Sequence, residues 1–159
     1  MKINNYNNII SSISFDIIHR VKIDLDEEIT KSSELIFEHN GVKTRIKFEL
    51  GKANEINESD FLFIPETNIL IYRGYIEWCA FDLTNKSIIR NEAATQLPFI
   101  ERRNDVILVF DEMYAESMDL TATLIDNVPI DPPTEIIEYE DRIEFDSIIF
   151  GKQTLKLVK

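Results

Sequence analysis

The residue types that carry out chemistry are scarce in this sequence. There are two imidazoles, His19 and His39, and one thiol, Cys79. Any histidine-based mechanism must use one of the two, yet both fall on the apolar face of a predicted strand, the setting of a hydrogen-bonded core or rim histidine. Cys79 stands in Ile76-Glu77-Trp78-Cys79-Ala80-Phe81. Alternation groups Ile76, Trp78 and Ala80 on one face and leaves Cys79 beside Glu77 and Phe81 on the other, where a carboxylate would raise the thiol pKa and blunt its reactivity. The expectation is a packing cysteine. No serine sits in a Gly-x-Ser-x-Gly elbow, and Gly41, Gly51, Gly74 and Gly151 are too scattered to cradle a phosphate. A zinc site would need carboxylates to complete it, because neither His-x-x-His nor Cys-x-x-Cys occurs. No metal or other cofactor is expected.

Carboxylates are plentiful. Asp24-Leu25-Asp26-Glu27-Glu28 offers oxygen ligands to a hard cation, but it lacks the turn glycine and bidentate Glu of a calcium loop and reads as a solvated strand end. Glu138, Glu140, Asp141 and Glu144 would perturb one another if clustered, as a carboxylate acid–base pair requires. Glu138, Glu140 and Glu144 share one parity and would project from one strand face, most simply a solvent face. No catalytic residue is assigned, and the chain is expected not to be an enzyme.

The elements that must position these residues read as mainly β. Period-two alternation over 15–25 places Phe15, Ile17, His19, Val21, Ile23 and Leu25 on one face, with Asp16, Ile18, Arg20, Lys22 and Asp24 on the other. Asn40-Gly41 tolerates the two positive φ angles of a type I′ turn and predicts a two-residue hairpin. His39 then pairs with Val42, Phe37 with Thr44 and Leu35 with Ile46, leaving Lys43, Arg45, Lys47 and Glu49 toward water. Phe61 to Ile64 is a short strand stopped by Pro65. Only thin helical signals occur, one or two turns over the first dozen residues and over 92–96. Asp131-Pro132-Pro133 reads as an extended linker. With four glycines for many reversals, Asn and Asp are expected to supply most φ > 0 positions.

The C-terminal half repeats at an interval of about 37 residues: Ile69 aligns with Val106 and Ile143, and Asp82-Leu83-Thr84 with Asp119-Leu120-Thr121. Asp82-Leu83-Thr84-Asn85-Lys86 resembles the turn of a β-propeller blade, with Asn85 in place of the usual glycine. Three copies cannot close a ring of at least four blades. The expected fold is therefore a single-domain antiparallel β-meander or sandwich over 1–159, with a hairpin sheet over 13–64 and a propeller-blade-like repeat region over 66–159.

Charge narrows the function classes. The 159 residues hold 17 Lys+Arg against 29 Asp+Glu, a net charge of −12. Such a surface repels phosphate backbones and anionic headgroups, so neither nucleic acid nor membrane is an expected partner. No apolar run approaches the ~18 residues of a membrane helix, no secretory leader is recognisable, and a lone cysteine fits a reducing compartment. A cytoplasmic protein is expected. Over 105–146, Arg142 is the single cation among thirteen carboxylates, whereas 16–52 holds seven Lys+Arg. A negative field of that kind steers a positively charged partner.

The segments Asp131-Pro132-Pro133-Thr134-Glu135-Ile136, Asp141-Arg142-Ile143-Glu144-Phe145-Asp146-Ser147-Ile148 and Phe150-Gly151-Lys152-Gln153 resemble immunity proteins of bacterial polymorphic toxin and contact-dependent growth inhibition systems. The resemblance implies a protein that binds and neutralises a basic toxin domain, often a nuclease. Such proteins share a job and no motif, so the candidate partner-binding residues come from charge alone: Asp111, Glu112, Glu116, Asp119, Glu138, Glu140, Asp141 and Glu144. Two alternatives are a small hydrolase built on clustered carboxylates and a glycan- or peptide-binding sandwich. The latter would use Tyr72, Tyr75, Trp78, Tyr114 and Tyr139 as an aromatic platform.

Overall fold

In the computed structural model, which describes residues 1–21, 27–52, 54–131 and 135–158, Asn40 and Gly41 take φ of 49° and 76°. They join strands β3 (Ile29–His39) and β4 (Val42–Gly51) in the expected register, with His39 opposite Val42, Phe37 opposite Thr44 and Leu35 opposite Ile46. Around this hairpin, β1 (Lys2–Tyr6) and β2 (Ile17–Arg20) complete a first sheet of order β1-β3-β4-β2. The second sheet holds β5 (Phe61–Ile64), β6 (Ile69–Arg73), β7 (Glu77–Asp82) and β8 (Ser87–Ala93) in chain order. The third holds β9 (Phe99–Arg103), β10 (Val106–Phe110), β11 (Tyr114–Asp119) and β12 (Leu124–Pro129), and the fourth β13 (Glu135–Glu138), β14 (Arg142–Ser147) and β15 (Gly151–Lys156). The chain is thus mainly β, and no barrel closes among the described residues. β6 and β10 begin 37 residues apart, as do β7 and β11, and β11 and β15. This is a regularity of strand placement; a blade-like sequence repeat is a proposal.

The sheets stack face to face in chain order, because strands with two apolar faces need a neighbour on each side. Leu70, Tyr72, Cys79 and Phe81 of the second sheet meet Leu35, Phe37, Ile46 and Phe48 of the first. The opposite face of the same strands, Ile69, Ile71, Trp78 and Ala80, meets Ile107, Val109 and Met118 of the third. Leu108 and Ala115 then point the other way, onto Ile143, Phe145 and Leu155 of the fourth. Trp78 is fully buried, its Nε1 donates to Tyr114 Oη at 3.1 Å, and Arg90 lies 4.8 Å over its ring.

Several expectations change. The strand expected over 15–25 has the right phase, with Ile17, His19 and Val21 buried, but β2 spans Ile17–Arg20 and runs parallel to β4. Residues 22–25 lie outside the described residues. Lys47, expected to face water, is 1% exposed. The N-terminal segment covers that face: Lys47 Nζ donates to Ser12 Oγ at 2.8 Å and pairs with Glu49 at 2.9 Å, and Arg45 Nη1 donates to Ser14 O at 3.0 Å. Phe61–Ile64, grouped with the N-terminal sheet, pairs with β6 instead. The helical turns give way to β1 and the end of β8; the described residues hold one 3-10 turn, Glu58–Asp60. Among the described residues, positive φ falls on Asn40, Asn68 and Asn104 but on no Asp; Lys86, Leu97 and Ala122 take the others among non-glycines. Asp acts instead through its carboxylate, as Asp82 does in accepting from the backbone N–H groups of Thr84 and Asn85 at 2.9 Å. Asp131, at the start of the expected linker, is buried and accepts from Ile149 N at 3.2 Å, while Pro132 and Pro133 lie outside the described residues.

Candidate functional site

Two arrangements carry chemistry. The first lies between the first and second sheets. His19 projects inward from β2, and Glu77 and Cys79 project from the same inward face of β7, as alternation predicts. The exposures are 1%, 0% and 0%. His19 Nε2 lies 2.8 Å from Glu77 Oε1 and 3.4 Å from Cys79 Sγ. The rings of Phe48, Tyr72 and Phe81 surround the imidazole, with centroids 5.7, 5.9 and 5.8 Å away. Burial pushes the Tyr72 phenol far above its usual pKa, and the Glu77 charge adds to the effect. Histidine, carboxylate and thiol are the parts of a cysteine nucleophile, but a substrate would reach them only if the two sheets parted. The burial of His19 on an apolar strand face and of Cys79 as a packing residue follows from alternation, whereas their meeting across 60 residues has no local signal.

The second arrangement is the acidic C-terminal half, where the structure divides the eight candidate residues. Asp111 is 7% exposed and accepts from the backbone N–H groups of Thr95 at 2.8 Å and Gln96 at 3.4 Å, so it fixes the β8–β9 connection. Glu116 is 6% exposed, pairs with Arg90 at 3.1 Å and accepts from Asn127 Nδ2 at 2.7 Å. Asp119 closes the β11–β12 turn by accepting from Thr121 N and Thr123 N. These three hold the third sheet together and are poorly placed to greet a partner.

The remaining five lie at the surface. Glu112 is exposed in the β10–β11 reversal, next to exposed Met113. Glu138 pairs with Arg103 at 2.9 Å, Asp141 with Arg142 at 3.1 Å, and Glu144 with Arg142 at 2.8 Å. Glu140 makes no ion pair among the described residues. The shared strand face expected for Glu138, Glu140 and Glu144 is not formed, because the chain turns back between β13 and β14. Glu138 sits opposite Ile143, on the side facing the third sheet, and Glu144 sits opposite Ile137 on the outer side. Glu138, Tyr139 and Glu140 instead line an open groove of about 670 Å³ with Arg103, Asp105 and Val158, where the β9–β10 turn of the third sheet meets the fourth sheet. Glu112 belongs to a reversal at the other end of β10.

The aromatic platform does not assemble. Trp78 and Tyr72 are buried on opposite sides of the second sheet, and Tyr75 and Tyr139 are exposed on different sheets. Asp24 and Asp26 of the candidate hard-cation run lie outside the described residues. Comparison with protein-family models, with curated proteins and with solved structures found no match.

Proposed function

We propose that this protein is an immunity-type inhibitor, which binds a basic toxin domain through the acidic end of its sheet stack and so keeps that domain from acting. One observation carries the reading. Three of the carboxylates left exposed in the C-terminal half, Asp105, Glu138 and Glu140, line one groove that also presents Tyr139 and Val158 to solvent, and exposed Asp141 follows directly in the chain, whereas exposed Glu112 and Glu135 lie elsewhere. A patch of charge around a few accessible apolar groups suits a rapid encounter with a cationic protein, followed by burial of a small central contact. A cytoplasmic setting and a non-catalytic role belong to the same proposal, supported by the lone cysteine and by the burial of His19, Glu77 and Cys79 together.

The experiment is co-expression with the protein encoded by the adjacent reading frame, scored by cell survival and by pull-down at two salt concentrations. Survival with a salt-sensitive complex is the expected result. Cell death with soluble protein present and no complex overturns the reading. A glycan- or peptide-binding module is the second reading, favoured by exposed Tyr139 at the groove, with the Arg142 guanidinium 3.9 Å over its ring.

A further inference from the structure

Among the described residues, one group of imidazole, carboxylate and thiol donors converges, and it lies far from the acidic groove. His19, Glu77 and Cys79 bring their ligand atoms within 4.8 Å of one another, all three side chains buried. We propose that they bind a single borderline-soft divalent cation of the zinc type between the first and second sheets.

Three observations support the site. Imidazole nitrogen, carboxylate oxygen and thiolate sulfur are the donor types that zinc takes. Tetrahedral ligands held at about 2.0 to 2.3 Å from zinc stand about 3.3 to 3.8 Å apart. The separation of 3.4 Å between Cys79 Sγ and His19 Nε2 is of that size, but Sγ also lies 3.7 Å from Nδ1, off the line of the Nε2 lone pair. Binding therefore needs a turn of the Cys79 or His19 side chain together with a small rotation of the Glu77 carboxylate, whose Oε1 is 2.8 Å from Nε2. Finally, Glu77 Oε2 is buried without a hydrogen-bond partner. A carboxylate oxygen in that state is costly, and a cation supplies the missing partner.

On binding, the Cys79 thiol gives its proton to solvent, His19 binds as the neutral imidazole, and a water fills the fourth position. Because β2 and β7 belong to different sheets, the ion would cross-link them. Loading then couples to folding, and the closed interface makes refolding the route of entry.

The test refolds the full-length chain from denaturant with cobalt(II) or zinc(II), then removes free metal by desalting. The expected result is one equivalent retained per chain, a thiolate-to-cobalt charge-transfer absorption in the near ultraviolet, and a higher Tm for the zinc-loaded form. Cys79→Ser should abolish the absorption. Glu77→Gln should weaken binding more than the roughly 10- to 100-fold that losing a supporting partner costs. Should either variant fail to fold, the wild-type chain decides alone. No retained metal, or retained metal without the absorption, overturns the proposal and leaves the group as a hydrogen-bonded histidine–carboxylate pair with a packed thiol.

Discussion

The first sheet turns its outer face to its own N-terminal segment, whereas the fourth turns its outer face to solvent. On the first, Ser32 Oγ donates to Asn8 O at 2.8 Å and accepts from Ile10 N at 3.0 Å, and Lys47 is sealed beneath Ser12. On the fourth, Glu135 and Ile137 are exposed, and Ile148 and Ile149 protrude at 78% and 71% exposure. The two ends therefore handle charge differently. At the covered end a cation counted as solvated is a structural member; at the open end the carboxylates that are not holding turns or strands remain available. A charge count along the chain does not separate these cases, because the separation depends on which groups the stack encloses.

The largest expected effect lies inside the stack. Trp78→Ala should cost about 3 to 5 kcal/mol of stability, since it leaves a cavity between the second and third sheets and strips Tyr114 and Arg90 of their partner. Glu140→Ala at the open end should shift stability by no more than about 0.5 kcal/mol. Denaturant midpoints for the two variants give the comparison directly. Equal midpoints would mean that the stack is not the source of stability.

A second contrast separates carboxylates within the acidic half. Reversing Glu138, Glu140 and Glu144 together should leave the fold intact and slow association with a cationic partner by about 10-fold or more at low salt. Reversing Glu116 should instead destabilise the protein, because it sets a buried cation beside Arg90. Circular dichroism separates the two outcomes before any binding is measured. Reversal of Asp24, Asp26 and Glu27 should alter association far less.

Acid sharpens the comparison at the covered end. The Asp16 carboxyl is held below its ordinary value, first by the hydrogen bond from Lys86 and then by that from Arg45 N. Burial pushes Glu34 up, but hydrogen bonds from Arg45, Asn4 and Tyr6 and the charge of Arg45 outweigh it, so its carboxyl is also held low. Both folded-state values lie below the unfolded ones. Their stabilisation is therefore full above the ordinary carboxylate range of about 4 and is lost as pH falls through the depressed values. Urea midpoints should fall between pH 6 and pH 3, approximate limits that bracket that range, and Glu34→Gln should flatten the slope. Parallel pH profiles for wild type and variant would contradict the assignment.

A smaller effect is expected at Gly41, whose φ of 76° favours glycine although a Cβ would meet nothing within 4 Å. Gly41→Ala should cost about 1 kcal/mol through backbone strain alone. Labelling of Cys79 in the native chain should be slow beside that of the unfolded chain, as its burial requires. Rapid labelling would show that the first and second sheets part readily.

What was legible in the sequence was local. Asn40-Gly41 fixed the hairpin register because two positive φ angles admit few residues, and the alternation of β6, β7 and β10 shows both of their faces to be apolar. Long-range placement was not legible. Nothing near Ile17–Arg20 says that it runs parallel to β4, and nothing near Lys47 says that residues 12 to 14 will lie across it. Asp111 and Glu116 read as free charge because their partners, Thr95, Gln96 and Arg90, belong to neighbouring elements. The apparent common face of Glu138, Glu140 and Glu144 failed on an unrecognised turn at Tyr139–Asp141, where Tyr139 N donates to Arg142 O at 2.9 Å.

The most direct test of the proposed role is the association rate between this protein and the protein of the adjacent reading frame, measured at low salt and again above ~0.15 M, where the Debye length is about 8 Å. The rate should fall steeply with salt, and fall about 10-fold at low salt when Glu138, Glu140 and Glu144 are reversed. Binding that is indifferent to both changes, or no binding by soluble folded protein, would contradict it.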